Sequence, residues 1–280
     1  MQQVVLNVKP KSTFEVPLSD GYQVYSGILA MIQQNDENVS SQIHDTRVNL
    51  ISISGLLGSF AHSERKGHKK ILIHENYKIL IGITDPVQDD VFRSFVIPIM
   101  LDNAEIPLEQ GKIVTESISD RKETFDSILK QAIESHAASI SFHFVTPTCI
   151  QFRNSSITEM FPNRIAVFHS LLSKWNTTSP DFSHLDISRD DFGRYLIERP
   201  DAKTYKTHSV LVNTIFDKKK EHQRPIFKQG FTCCCTYQID RNAPEKIKNG
   251  ILALAYFAPF CGVGSSVARG CGHVEVQCER

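Results

Sequence analysis

The chain has 280 residues, of which 41% are hydrophobic and 22% are charged, so it can bury a core and is not a disordered chain. Its 31 Lys and Arg residues balance 31 Asp and Glu residues, which excludes a histone-like polycation but not a local basic patch. Seven cysteines, three of them adjacent, are untypical of a secreted disulfide framework. Without a signal-peptide pattern or an apolar run of membrane-spanning length, we expect a cytoplasmic protein that does not contact membranes.

The first half of the chain predicts the element order β-α-β-β-α-β. Asp20 followed three residues later by Gln23 is typical of a helix start, and the apolar spacing that follows continues that helix to residue 32. Around it, alternation and helical spacing predict strands near residue 5 and at 13–16, 50–54, 78–84 and 112–116, a helical turn ending at His44, a basic loop at 62–70 and a second helix at 86–99.

The second half predicts the same order after a connecting helix that carries Phe125 and Ile128. Its elements are a strand from Ile140, a helix that starts at Pro162, paired strands at 209–216 and 226–239, a helix capped by Asn242 and stopped by Pro259, and a last strand at 273–277. The fold class we predict is therefore α+β, with two tandem ferredoxin-like units, or split βαβ units. The expected boundaries are 1–118, a connecting helix at 119–137, and 138–280.

A glycine-rich stretch at 262–272 carries the most specific local motif. Two G-x-G units and the segment between them supply the candidate residues: Gly262, Gly264, Ser265, Arg269, Gly270 and Gly272. Glycine reaches positive φ and lets a ligand approach the backbone, and successive free N–H groups can bind an anion. Arg269 adds a charge with bidentate geometry. We predict that this loop contacts a phosphate chain; the alternative is a tight connection in which the glycines serve packing only.

No other motif for catalysis or metal binding competes with this loop. The cysteines form no C-x-x-C pair, the histidines do not cluster, and no nucleophile elbow or carboxylate pair is visible. We therefore expect neither a metal nor a cofactor.

At this loop the chain resembles the RAMP superfamily and, within it, the CRISPR repeat-specific endoribonucleases, the sixth CRISPR-associated (Cas) family. The resemblance extends to Val16-Pro17 before the first helix and to Ile43-His44-Asp45 after it. The segments 160–164 and 168–172 are similar to archaeal members. The resemblance implies an enzyme that cuts CRISPR precursor RNA within each repeat, without metal, to release a guide RNA. Its cleavage would leave a 5′-hydroxyl and a cyclic phosphate at the cut ends.

The resemblance implies that His44 is the catalytic histidine. Imidazole titrates near neutrality, so it can take the proton of the attacking 2′-hydroxyl or donate one to the leaving 5′ oxygen. Some members pair this histidine with a tyrosine in the first helix and a lysine after the histidine. Those positions fall near Ile28 and Leu50 here, so Tyr22, Tyr25 and Arg47 are the nearest candidate substitutes.

Basic residues outside the loop are candidate contacts to RNA phosphates. Lys66, Lys69 and Lys70 lie in one basic segment, Arg164 lies on a helix, and a lysine run occupies 218–220. Charge runs of this kind are also typical of solvated loops. The expected partners are CRISPR repeat RNA and its guide product, with an interference effector complex and a homodimer as further candidates.

Two other functions remain open from the sequence. The first is a non-catalytic RAMP scaffold that binds guide RNA inside an interference complex; such a scaffold would not require His44. The second is a ferredoxin-like pair that binds another phosphorylated ligand and has no affinity for repeat RNA.

Overall fold

The structure, a computed structural model, describes residues 1–35, 51–84, 105–151, 155, 157–217 and 222–279. Its strands, in chain order, are β1 Gln2–Pro10, β2 Phe14–Pro17, β3 Ile51–Ile53, β4 Ala61–His62, β5 His68–Ile71, β6 Tyr77–Ile83, β7 Glu105–Pro107, β8 Lys112–Lys122, β9 Ser139–Thr148, β10 Ile150–Gln151, β11 Thr158–Glu159, β12 Leu196–Pro200, β13 Lys206–Asp217, β14 His222–Ile239 and β15 Val274–Glu279. Its helices are α1 Gly21–Asn35, α2 Phe125–Ser135, α3 Arg164–Thr178, α4 Arg189–Tyr195 and α5 Glu245–Cys261, with 3-10 turns at Asp181–Ser183 and Val267–Arg269.

Two antiparallel sheets share one topology. The first has the order β3-β6-β1-β8-β7, and the path of the second is β12-β14-β9-β15, with β13 paired to β14 as well. In the first sheet β1 lies between β6 and β8, and in the second sheet β9 lies between β14 and β15. In each β-α-β-β-α-β unit the first strand therefore lies between the third and the fourth, which is the split βαβ order. The prediction of two tandem ferredoxin-like units is confirmed.

The first sheet forms because its strands alternate apolar and polar residues. Val4, Leu6 and Val8 of β1 are at most 1% exposed and pack with Val24 and Ile28 of α1. The opposite face carries Gln3, Ser52 and Gly82, and here the end of α5 lies against the sheet. Ser52 Oγ donates to the carbonyl oxygen of Phe260 at 3.0 Å, and Gln3 Nε2 donates to that of Pro259 at 3.0 Å. A Cβ on Gly82 would lie 1.9 Å from the Phe260 oxygen, so this contact requires glycine.

The second core is built on aromatic residues. Phe142 and Phe144 of β9 are buried beneath α3 and α5, and Trp175 of α3 is fully buried with its Nε1 donating to the carbonyl oxygen of Ser183. Cys233 and Cys235 point into this core while Cys234 is partly exposed, as the predicted strand alternation requires. None of the helices in the described part of the chain is both long and apolar enough to span a bilayer.

Three predicted elements of the second half need correction. Strand β12 occupies the second position of the unit, whereas the segment at 209–216, expected there, belongs to β13, an addition to the edge of β14. Helix α3 begins at Arg164, not at Pro162, because Asn163 Oδ1 accepts from the amides of Ile165 and Ala166 and caps the helix.

Helix α5 also differs from its prediction at both ends. The amide of Asn242 donates to Asp240 Oδ1 at 2.7 Å, so Asn242 belongs to a turn and Pro244 occupies the N-cap position. Pro259 does not stop the helix. A proline in the last turn removes only its own N–H, and the next bond, from the Gly262 amide to the Ala258 oxygen at 2.8 Å, is intact.

The basic segment at 62–70 is a hairpin and not a loop. Strands β4 and β5 form its arms, and β5 also pairs with β2 in a three-stranded sheet. The amide of Leu18, just before α1, donates to the oxygen of Gly67 at 2.9 Å. The hairpin is therefore held beside the first turn of α1. The predicted helix at 86–99 and the turn that ends at His44 lie outside the described residues.

Candidate functional site

The glycine-rich loop has two arms that contact different parts of the molecule. The first arm, residues 262–265, lies against α3 and the segment after β9. The second arm, residues 266–272, contains the 3-10 turn and contacts α1 and β3. Because β3 is the edge strand of the first sheet, the second arm passes around that edge from the α5 side to the α1 side.

The conformation of the loop explains its glycines. Gly262, Gly264, Gly270 and Gly272 have φ of 65°, 80°, 84° and 70°, and Ser266 also has a positive φ of 59°. These left-handed values favour residues without a side chain. At Gly272 and Gly264 close approach adds to this, since a Cβ would lie 1.9 Å from the Val263 oxygen and 2.6 Å from the Cys149 oxygen.

Most amides of the loop bind within the protein, so an anion nest along its whole length is not what the structure shows. The amides of residues 263, 265, 269, 271 and 272 donate to backbone oxygens, and that of Gly264 donates to Ser170 Oγ. Among the described residues, the amides of Ser266, Val267, Ala268 and Gly270 have no internal acceptor. Val267, Ala268 and Gly270 are buried, so among these four residues only Ser266, which is half-buried, presents its backbone towards the surface, where an anion could bind.

Contact between the second arm and α1 is backbone on backbone. A Cβ on Gly270 would lie 2.4 Å from the Cα of Gly21, and a Cβ on Gly21 would lie 2.2 Å from the Cα of Gly270. Two glycines, one in each half of the chain, therefore let the loop touch the first turn of α1. The backbones of the second arm and of that turn lie so close together that no side chain fits between them.

Arg269 lies beside Tyr25 at this contact. Its Nη1 donates to the carbonyl oxygen of Val212 in β13 at 2.7 Å, and its guanidinium lies 5.9 Å from the ring centroid of Tyr25. Tyr25 is 5% exposed, and among the described residues its hydroxyl and Arg269 Nε have no hydrogen-bond partner. Burial raises the pKa of Tyr25, and the positive charge of Arg269 opposes this only partly, so the phenol is neutral at pH 7.

A buried ion pair fixes the start of α1. Asp20 is 4% exposed; its Oδ1 accepts from the Leu56 amide at 3.1 Å and its Oδ2 lies 3.0 Å from Lys69 Nζ. Burial raises the pKa of Asp20, although the charge of Lys69 opposes this. Lys69 Nζ also lies 3.7 Å from the ring centroid of Phe60. Lys69 is thus engaged within the protein, while Lys66 is exposed and Lys70 is half-buried on the same hairpin.

The replacement Lys69→Met is expected to lower the free energy of unfolding by about 3–5 kcal/mol, because it leaves the Asp20 carboxylate buried without its cation. Lys66→Met, on the exposed turn of the same hairpin, should change it by less than about 0.5 kcal/mol. Urea unfolding of both variants beside the parent protein measures the difference. Equal stabilities for the two variants would contradict the assignment of Lys69 to a buried pair.

The remaining candidates are placed as follows. Arg164 bonds through Nη1 to Glu198 Oε2 and through Nε to the oxygen of Gly193, so it joins α3 to β12 and α4. His44, Arg47 and the lysine run 218–220 lie outside the described residues. Within the described ranges, no group of three or more His, Cys, Asp or Glu side chains could hold a metal ion.

Sequence reasoning missed one cation at the loop. Lys228 Nζ donates to Ser265 Oγ at 2.9 Å, which places a positive charge from β14 on the first arm. Strand alternation gives the face of β14 that carries Lys228, but no sequence signal shows that this face meets the loop.

Two sheets of one topology define a tandem ferredoxin-like fold. Residues 142–274 match the family model described as CRISPR-associated endoribonuclease Cas6, which confirms the resemblance indicated by the sequence motifs. No curated protein matches the chain.

Solved structures with similar folds extend this comparison over the whole chain. A Cas6 product complex is 18% identical, with a TM-score of 0.64 and 99% of each chain covered. Thermus thermophilus Cas6 is 16% identical, with a TM-score of 0.61, covering 99% of this chain and 98% of its own. A Cas6-related protein from Pyrococcus furiosus is 11% identical, with a TM-score of 0.63, covering 99% of this chain and 98% of its own. At these identities the likeness shows a shared fold.

Proposed function

We propose that this protein is an endoribonuclease that cuts CRISPR precursor RNA within its repeats to give guide RNAs. The observation that carries the proposal is the contact between Gly270 and Gly21. It sets a loop from the family-matched half of the chain against α1, the helix that precedes His44. A basic hairpin, the half-buried Ser266 and Arg269 adjoin this contact, which together suit an RNA phosphate.

The proposed reaction is an intramolecular attack of the 2′-hydroxyl on the adjacent phosphorus. The P–O bond to the 5′ oxygen breaks, which leaves a cyclic phosphate on one product and a 5′-hydroxyl on the other. His44 takes the 2′ proton or supplies the proton to the leaving 5′ oxygen, and solvent water accepts or supplies the other proton. Because the nucleophile belongs to the RNA, the reaction as proposed requires no metal.

Arg269 and Tyr25 are assigned supporting roles. The guanidinium can stabilise the extra negative charge on the phosphorus-bound oxygens, and its anchor on Val212 fixes its position in advance. A neutral tyrosine can donate a hydrogen bond but is a weak base, so Tyr25 is a candidate donor and not the group that removes the 2′ proton.

Repeat RNA and the guide product are the proposed partners, with an effector complex that receives the guide and a homodimer as further proposals. All seven cysteines are free thiols, which suits the cytoplasm, where we place the enzyme. The domain boundaries we propose remain 1–118, 119–137 and 138–280.

The test of the function uses a repeat RNA labelled at its 5′ end and the parent protein in EDTA. One cut within the repeat, with a cyclic phosphate and a 5′-hydroxyl as product ends, supports the proposal. Tight binding without a cut favours the scaffold alternative. No binding at moderate salt contradicts both functions for that repeat.

Tyr25→Phe is expected to keep the fold, since the hydroxyl has no partner among the described residues, and to lower the single-turnover cleavage rate at least about tenfold if the hydroxyl donates in the reaction. Tyr22→Phe, one turn earlier on the same helix, tests the other candidate tyrosine in the same assay. The measurement is the cleavage rate at saturating protein. An unchanged rate for Tyr25→Phe would assign Tyr25 to the core alone.

A further inference from the structure

A cavity of about 560 Å³ lies between α3 and the first arm of the glycine loop. Its polar lining consists of three basic side chains, three hydroxyls and one amide, from His169, Lys174, Arg189, Ser170, Ser173, Ser265 and Gln151. No acidic side chain of the described residues lines it. The cavity is therefore electropositive and rich in hydrogen-bond donors.

Lys174 is the central charge of this cavity. Its Nζ donates to the carbonyl oxygens of Cys261 and Gly262 at 3.1 and 2.7 Å, which fixes the ammonium at the end of α5. An ammonium has three donors, so one remains. No carboxylate among the described residues pairs with it, and burial lowers the pKa of Lys174. An anion in the cavity would compensate this charge.

The lining also provides an apolar surface through Ile150 and Ala166. A cavity of this volume is in the range that takes a small organic ligand. Cations and hydroxyls suit a phosphate, because charge-assisted hydrogen bonds to phosphate oxygens are strong, and an aliphatic wall suits a base or ribose. A phosphorylated nucleoside combines both features, whereas inorganic phosphate would leave the apolar wall unused.

We propose that this cavity binds the phosphate and nucleoside of one nucleotide, at a site separate from the one where the RNA is cut. The loop itself separates the two sites, with Gly264 and Ser265 on the cavity side and Arg269 on the α1 side. The nucleotide belongs either to the RNA strand as it passes the loop or to a free mononucleotide. The first source rests on the proposed function; the second does not.

The test uses Ser173→Asp, which adds a carboxylate at an exposed position of the cavity wall. Thr177→Asp adds the same charge one helical turn further along α3, outside the cavity lining, and is the control. Both positions are exposed, and Thr177 is nearer to the C-terminus of α3, where an acid destabilises a helix more. A loss of ligand binding in Ser173→Asp alone is then not a folding effect, which melting curves of both variants check.

The probes are the labelled repeat RNA and AMP, each titrated at fixed ionic strength. Ser173→Asp is expected to weaken RNA binding about tenfold or more with Thr177→Asp unchanged, which supports the RNA source. AMP binding that only Ser173→Asp abolishes, with RNA binding equal in all three proteins, supports the free nucleotide.

Equal binding of both probes by the parent and both variants overturns the cavity site, as does a parent protein that binds neither probe. A parent protein that binds AMP at this site but neither binds nor cuts repeat RNA contradicts the proposed function and leaves the cavity site standing. The two failures are therefore distinguishable.

Discussion

His44→Ala is expected to lower the rate of repeat cleavage by about 10²–10⁴-fold, because it removes the imidazole proposed to transfer a proton in the reaction. RNA affinity should stay within about twofold of the parent, since the loop, the hairpin and Arg269 are unchanged. The measurement is a single-turnover cleavage rate with a labelled repeat in EDTA, beside a binding titration of the same RNA.

His62→Ala is the control for this replacement. His62 is exposed at the end of β4 in the basic hairpin, so its removal tests the loss of an imidazole near the same surface without touching the proposed reaction. We expect its cleavage rate to be nearly that of the parent. Cleavage that survives in His44→Ala at the parent rate would remove His44 from the mechanism and would leave the RNA-cutting activity itself to be explained by another residue.

Gly270→Ala is expected to disrupt the contact between the loop and α1 and to destabilise the protein. The residue has a φ of 84°, which costs a side chain about 1–2 kcal/mol, and its Cβ would lie 2.4 Å from the Cα of Gly21. Neither backbone can yield without moving α1 or the loop, so a further 1–3 kcal/mol, about as much as overpacking a core, is expected. Unfolding in urea and the cleavage rate should both show the loss.

Gly67→Ala separates the two causes. Gly67 has a φ of 77°, close to that of Gly270, but a Cβ there would meet nothing within 4 Å. Its replacement therefore carries the conformational cost alone, about 1–2 kcal/mol. If both alanine variants lost the same stability, the contact between the loop and α1 would contribute nothing, and the geometric basis of the proposed site would fail.

The order of elements was predictable from the sequence because alternation and helical spacing are local signals. Strand β12 was missed because it has only five residues, ends in Pro200 and exposes Ile197, so it offers little alternation to detect. The neighbouring segment of β13 has stronger β character and was assigned the position instead. Both strands pair with β14, but β12 pairs with Cys235–Ile239, in the stretch that also pairs with β9, and β13 pairs mostly further back along β14; no local pattern contains this register.

The candidate site was predictable only in part. Glycines with positive φ were indicated by the two G-x-G units, and the structure places them as that reasoning requires. The burial of Lys69 against Asp20 was not predictable, because a charge run has the same sequence whether its lysines are solvated or paired. The same holds for Lys228 of β14, whose contact with Ser265 depends on how β14 packs against the loop.

The contact between Gly270 and Gly21 also bears on how the chain acquires activity during synthesis. The helix that precedes His44 leaves the ribosome early, whereas the loop that touches its first turn is translated after every described strand except β15. An N-terminal unit that folds as it emerges therefore carries the proposed histidine without Arg269 and without the second arm. Closing this long-range contact is an entropically costly, late step, so nascent or truncated chains should have no nuclease activity until the loop docks.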